Sequence, residues 1–291
     1  MKIALLGCGE VGSCYGRAWT AAGHHIIGIC ELRDDEAMRA RAASLNAALH
    51  AAPGPWLAEA DIVVSAVYGH SASAVAQASL AFLRTDAVYA DFTTASAADM
   101  QAAASAARAR GQAFTDVAIM GAIALLAERT PLLCAGQGAD QVIALAASGG
   151  APARAIDGAP GDAVRLKLLR SIMTKGMESL AVECLVAANA MGLRASLYEV
   201  LSDIDRTPLT TFMDAFVRSH VDHAGRRHAE VREARDQLYE AGLEPLVLDG
   251  VERLFARTAR HLEAARAQGG VEVEDSVPAR LAWLEQLARQ R

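Results

Sequence analysis

LLGCGEVGSCYG, residues 5–16, is the stretch on which the fold turns. Gly7, Gly9 and Gly12 stand in the order G-x-G-x-x-G, directly after the apolar run KIALLG and at the head of residues 10–23, which read as a helix. In that context each glycine has a separate task. Gly7 permits a tight turn, Gly9 lets a pyrophosphate approach the backbone, and Gly12 lets helix and strand pack closely, while the free N–H groups of Glu10 and Val11 open the helix toward an anion. Glu31 follows Gly12 at the end of a second run, HIIGIC, where its carboxylate suits the hydroxyls of an adenosine ribose. Glu31 therefore favours NAD. Arg33, whose guanidinium suits a 2′-phosphate, keeps NADP open.

The rest of the first half continues the alternation of short apolar runs with Ala-rich helical segments. ADIVVSAV, AVYADF and QAFTDVAIM read as strands, with helices near 71–84 and 96–110 between them, and TPLLCAG and ARAID read as additional strands. After Asp162 no convincing strand remains; helix-length segments run to the end of the sequence, broken at Gly192, Pro208, Gly242, Pro245 and Gly269. The expected fold is α/β, a Rossmann-type doubly wound sheet over residues 1–162, followed by an all-helical domain over 163–291 for substrate binding and dimerisation.

Composition narrows the function. With 291 residues, 53% of them hydrophobic, the chain has enough apolar material for two cores. A net charge of −6 argues against nucleic-acid or anionic-membrane partners and for a small-molecule substrate. The opening MKIALLGCGE lacks the long apolar region of a signal peptide, so a cytoplasmic protein is expected. Five scattered cysteines without C-x-x-C spacing suggest buried thiols rather than disulfides or a metal site.

A second stretch, GDAVRLKLLRSIMTKGMES at 161–179, bears on catalysis. At helical spacing Ser171, Thr174 and Glu178 fall within about 40° of Lys167, so four polar side chains share one stripe on an otherwise apolar helix. Such a stripe is either a solvent face or the wall of a polar cleft. Its place at the junction of the two domains favours the cleft, Gly176 suggests close packing, and Lys175 borders the stripe as a candidate anion-binding partner.

GCGEVG, GHHIIG, DFTTAS at 91–96, TDVAIMGAI at 115–123 and GDAVRLKLLRS at 161–171 occur in an order and spacing that resembles the β-hydroxyacid dehydrogenases, which include 3-hydroxyisobutyrate and 6-phosphogluconate dehydrogenases. The resemblance covers essentially the whole chain, and LLRSIMTKGMESLAVE is similar to a phosphogluconate-dehydrogenase-like branch. It implies a catalytic lysine at Lys167, a cofactor-side segment at Asp91, Thr93 and Thr94, and a nicotinamide-side strand end at Val67 and Tyr68. Three positions depart from the family pattern. Met120 stands where a carboxylate-binding serine is usual, Ala122, after Gly121, stands where a second glycine is usual, and Ser171 stands where an asparagine is usual.

The resemblance thus implies an NAD(P)-dependent oxidoreductase acting on CH–OH groups of a hydroxy acid, or on the corresponding carbonyl, with Lys167 as general acid/base and Ser171 as its hydrogen-bonding partner. Met120 and Gly121 would line the substrate, with Thr174 and Lys175 nearby. HVDHAGRRHAE at 220–230 concentrates basic residues in an acidic protein, and Arg226 and Arg227 are candidates for holding a carboxylate or phosphate; the alternative is an ion-paired helix face with Glu230 and Glu233. Two other functions stay open: an imine reductase, whose relatives usually lack a lysine at this position, and a noncatalytic NAD(P)-sensing protein. The long Ala-, Leu- and Val-rich helix over 163–191 suggests a homodimer.

Overall fold

The computed structural model describes residues 1–268, 270 and 273–290, and divides into two compact units, Met1–Ile172 and Met173–Arg291. Gly269, one of the expected helix breaks, lies outside the described residues.

The first unit is built as β1 (Lys2–Leu6), α1 (Glu10–Ala21), β2 (His25–Cys30), α2 (Glu36–Ser44), β3 (Ala48–His50), β4 (Ile62–Ser65), α3 (Gly69–Leu80), β5 (Val88–Asp91), α4 (Ala97–Arg108), β6 (Ala113–Ile119), α5 (Ile123–Leu126), β7 (Leu132–Ala135), α6 (Ala139–Ser148), β8 (Ala153–Ala155) and the start of α7 (Asp162–Ala190). Its sheet has the order β3-β2-β1-β4-β5-β6-β7-β8, parallel except where β7 runs against β6. The strands are apolar at successive positions because both faces are covered. Ile3 and Leu5 point into one core with Tyr15, Trp19, Met38 and Val142, from α1, α2 and α6. Ala4 and Leu6 point into the other with Ala76, Met100, Ala104 and Val164, from α3, α4 and the first turn of α7. Chain order reverses between β1 and β4, so the turns that follow these strands diverge and leave a crevice at their carboxyl ends, where ligands bind in open α/β sheets.

The second unit holds the remainder of α7, then α8 (Arg194–Val200), α9 (Ser202–Asp205), α10 (Leu209–Glu240), α11 (Leu246–Ala267) and α12 (Val277–Arg289). The expected breaks fall at helix boundaries: Pro208 and Pro245 precede α10 and α11, and Gly192 and Gly242 take positive φ just past helix ends. Few of its apolar side chains are enclosed; Met177, Leu180, Val182, Val186, Val200 and Phe216 are all exposed. Gly176, expected to mark close packing, has nothing within 4 Å of the position a Cβ would take. All five cysteines are free thiols, and Cys184 is exposed rather than buried. Among the described residues no helix is long and apolar enough to cross a membrane.

Candidate functional site

The glycine loop joins β1 to α1 at the crevice. Gly7 has φ +89°, its N–H donates to the carbonyl of Cys30 at 2.8 Å, and a Cβ there would stand 2.8 Å from the carbonyl oxygen of Ala66. Gly12 is buried against the same turn. Gly9 differs from both: its φ of −72° lies outside the left-handed region, and a Cβ would meet nothing within 4 Å. The open space in front of Gly9 fits the close approach that a dinucleotide pyrophosphate needs, and the first N–H groups of α1, at Glu10, Val11 and Gly12, lack intrahelical acceptors. Glu10 is exposed, and Val11 packs against the core.

Glu31 is half-buried beside this loop, one carboxylate oxygen accepting the Cys8 N–H at 3.3 Å and the other the Leu32 N–H at 3.0 Å. Each oxygen keeps a lone pair for a further donor. Arg33 is exposed two residues on.

Two more turns complete the crevice. After β4 come Val67, half-buried, and Tyr68, 79% exposed and stacked on His70 at 5.7 Å. After β5, buried Asp91 accepts the Thr93 N–H at 2.8 Å, and the Thr93 hydroxyl accepts the Ala95 N–H at 3.1 Å, which fixes the backbone on both sides of Thr94. The turns adjoin, since a Cβ on Gly69 would stand 3.0 Å from the Thr94 carbonyl oxygen. Burial pushes Asp91 up to about 6 against the pull of the Thr93 bonds.

Lys167, half-buried in α7, donates from Nζ to Thr94 Oγ1 at 2.9 Å. Burial lowers its pKa from the ordinary lysine range, and the negative charge of Asp116 acts in the opposite direction. The Ser171 hydroxyl donates to the Lys167 carbonyl at 3.0 Å, so its proton is engaged by the helix and its lone pairs remain. Lys167, Thr94, Tyr68 and the glycine loop are thus carried by adjoining turns of the first unit and the helix beside them.

Met120 packs half-buried against Ala118, Leu133 and Ala163, and Gly121 is exposed at the start of the following loop. Thr174 and Lys175 belong to the second unit and are exposed. In that unit Arg226 pairs with Glu230, and Arg227 donates to Ser219 Oγ at 3.0 Å. Two residues of the first unit escaped the sequence reading. His70 carries no motif of its own. Asp116 opens DVAIMGA, yet its contacts lie 45 and 48 residues away, at Gly161 and Val164.

Residues 2–147 match the family described as the NAD binding domain of 6-phosphogluconate dehydrogenase. The chain belongs to that family. Residues 188–258 match a domain of unknown function. An uncharacterised 28.5 kDa protein of Methanothermus fervidus is 25% identical, the alignment covering 90% of this chain and 99% of that one. A conserved protein of unknown function, whose structure is described as similar to 3-hydroxyacid dehydrogenases, superimposes with a TM-score of 0.63 at 24% identity over 93% of this chain and 100% of its own. An imine reductase from Aspergillus terreus, in complex with NADPH4 and dibenz[c,e]azepine, gives a TM-score of 0.73 at 16% identity over 94% and 96%. The chain therefore carries an NAD-binding domain in a fold shared with 3-hydroxyacid dehydrogenases and imine reductases.

Proposed function

We propose that this protein is an NAD(P)-dependent oxidoreductase that interconverts a hydroxy acid and its carbonyl form, with Lys167 as general acid/base. The observation that carries this reading is the 2.9 Å bond from Lys167 to Thr94 at the mouth of the nucleotide crevice. The open space at Gly9 and the carboxylate of Glu31 fit a dinucleotide, and Gly7, Gly9, Glu10, Val11, Gly12, Glu31, Val67, Tyr68, Thr93 and Thr94 would hold it, with Arg33 at its ribose end. The bound nicotinamide supplies the hydride acceptor or donor. In oxidation, neutral Lys167 takes the hydroxyl proton; in reduction, its ammonium form gives that proton back and polarises the carbonyl. Partial burial favours the neutral amine, and Thr94 orients it. On the substrate side of the first unit, Met120 and Gly121 supply an apolar wall and Ser171 offers hydroxyl lone pairs; in the second unit, Thr174, Lys175, Arg227 and the Glu230-paired Arg226 are the candidate donors for an anionic group.

One observation favours a second reading. From Val117 to Ala127 no side chain is polar, so the end of β6 and the first part of the loop that follows it offer a substrate carboxylate no side-chain donor before Arg129; a neutral imine would need none. The Aspergillus terreus imine reductase gives this reading a fold precedent. Turnover of a panel of hydroxy acids and cyclic imines, each with NAD(H) and NADP(H), decides between them. Oxidation of a hydroxy acid that Lys167→Ala abolishes supports the first; reduction of imines alone supports the second; tight cofactor binding without turnover of either class replaces both with a sensing role.

The same reading includes a homodimer formed through the helical unit. An exposed apolar groove of about 460 Å³, lined by Leu180, Cys184, Ala187, Leu197, Leu238 and Leu248, adds to the exposed side chains of α7, α8 and α10. Unpaired apolar surface on this scale favours association. Light scattering is expected to give twice the chain mass, and a monomer mass across micromolar concentrations removes the dimer.

A further inference from the structure

Asp116, in the middle of β6, is fully buried, and its Oδ2 accepts the N–H of Gly161 at 2.9 Å and of Val164 at 3.2 Å. These donors flank the start of α7, where a helix has N–H groups without intrahelical acceptors. A carboxylate on a sheet strand thereby caps a helix distant in sequence. The residue next to the helix start cannot do the same, because the Asp162 carboxylate is committed to the Ala159 N–H at 2.9 Å and to Arg165 at 2.7 Å. Lys167 lies one turn past Val164, so whatever fixes that first turn sets where its amine arrives.

A neutral amide would serve as an acceptor at far smaller desolvation cost, since an ion buried in a protein costs several kcal/mol when unpaired. Asp116 Oδ1 has no hydrogen-bond partner among the described residues, and burial pushes the carboxyl's pKa up while the backbone N–H groups at the start of α7 favour its ionised form. We propose that Asp116 is a positioning residue for Lys167, holding the first turn of α7 from β6 so that the amine meets Thr94, and acting on the amine through its charge. This inference rests on the role of Lys167 in the proposed function. The other ionisable groups around the pair are Asp91, in register with Asp116 on β5 and itself facing Asp99 at the start of α4, Cys134 on β7, and Asp162 with its partner Arg165 on α7. Of the charges around it, Asp116 is the one that supports the ammonium form of Lys167 against burial.

The chain has three lysines, Lys2, Lys167 and Lys175, so ¹³Cε-lysine labelling of the full-length protein without cofactor gives three resonances to titrate. In Asp116→Asn the Lys167 resonance is expected to titrate at lower pH than in the wild type, with Lys2 and Lys175 unmoved. A folded Asp116→Asn with an unchanged Lys167 midpoint overturns the electrostatic half of the proposal. Hydrogen exchange at Gly161 and Val164 tests the other half: protection is expected to survive in Asp116→Asn, whose amide oxygen still accepts, and to fall in Asp116→Ala; equal protection in wild type and Asp116→Ala overturns the cap. Should neither variant fold, Lys167→Met provides the reciprocal measurement, in which the ¹³Cγ resonance of Asp116 is expected to titrate at higher pH, and an unmoved midpoint counts against coupling. None of these readings uses turnover, so they separate from the test of Lys167 as a catalyst.

Discussion

A methyl group on Gly12 would stand 2.2 Å from the carbonyl oxygen of Gly7, whereas one on Gly9 would meet nothing within 4 Å. The two glycines therefore serve different ends, packing at Gly12 and ligand approach at Gly9. Gly12→Ala is expected to force the loop off the helix and to destabilise the first unit by about 1–3 kcal/mol or more, as overpacking does. Gly9→Ala is expected to keep the wild-type melting temperature and to weaken NADH binding at least tenfold. Calorimetry and fluorescence titration of both variants check this, and Gly9→Ala binding NADH as tightly as the wild type would place the pyrophosphate elsewhere.

Glu31 faces the same loop, each oxygen held by one backbone N–H and each with a lone pair to spare. Hydrogen bonds to a charged group contribute about 1.5–3 kcal/mol, so losing those to the ribose is expected to raise the NAD dissociation constant about 10- to 100-fold in Glu31→Ser. NADP affinity should rise in the same variant, since the repulsion of the 2′-phosphate is gone and Arg33 remains. Titration of wild type and variant with both cofactors is the check. A wild type that binds NADP more tightly than NAD contradicts the role given to Glu31.

Asp91 carries a pH signature. Its folded-state pKa near 6 lies above the unfolded value, so it binds its proton more tightly when folded; the stability it contributes is present at low pH and is lost as pH rises through about 6. Asp91→Asn retains an acceptor for the Thr93 N–H and has no proton to lose. A shift of about 2 pH units corresponds to on the order of 3 kcal/mol, by which the variant is expected to gain on the wild type between pH 3.5 and 7.5. Urea unfolding at both pH values measures the difference, and a gap that does not change with pH shows that Asp91 is not raised.

How much of this was legible in the sequence depended on the reach of each signal. The β1 turn, the glycine spacing and Glu31 lie within one βαβ unit, so local pattern was enough to find them. β3 has three residues, pairs with β2 alone at the sheet edge, and offers no alternation to detect. Thr94 and Lys167 each came from family resemblance, yet their bond joins positions 73 apart and follows only from α7 packing beside β5 and β6. Asp116 is harder still, because DVAIMGA reads as a buried strand end, and nothing local says that its carboxylate caps a helix beginning at Asp162. Cys184 and Gly176 misled for a related reason: composition suggests burial, and the helical unit leaves these positions open.

The function stands or falls with the amine of Lys167. Its Nζ is 2.9 Å from Thr94 Oγ1, in a half-buried position that lowers its pKa, and it is separate from the glycine cradle. Lys167→Ala is therefore expected to leave the fold and NADH affinity intact while lowering kcat by about 10²- to 10⁴-fold, the usual contribution of general acid/base catalysis. Lys167→Arg should recover little, because a guanidinium keeps its proton and cannot accept one from the hydroxyl. The pH dependence has a definite sign. Oxidation requires the neutral amine, so kcat/KM for oxidation should rise with pH through a midpoint below the ordinary lysine value of about 10.4, and reduction should fall through the same region. Both limbs should be missing from residual Lys167→Ala activity. A Lys167→Ala enzyme with near-normal kcat on a substrate found in the panel would end the lysine mechanism while leaving the nucleotide fold untouched.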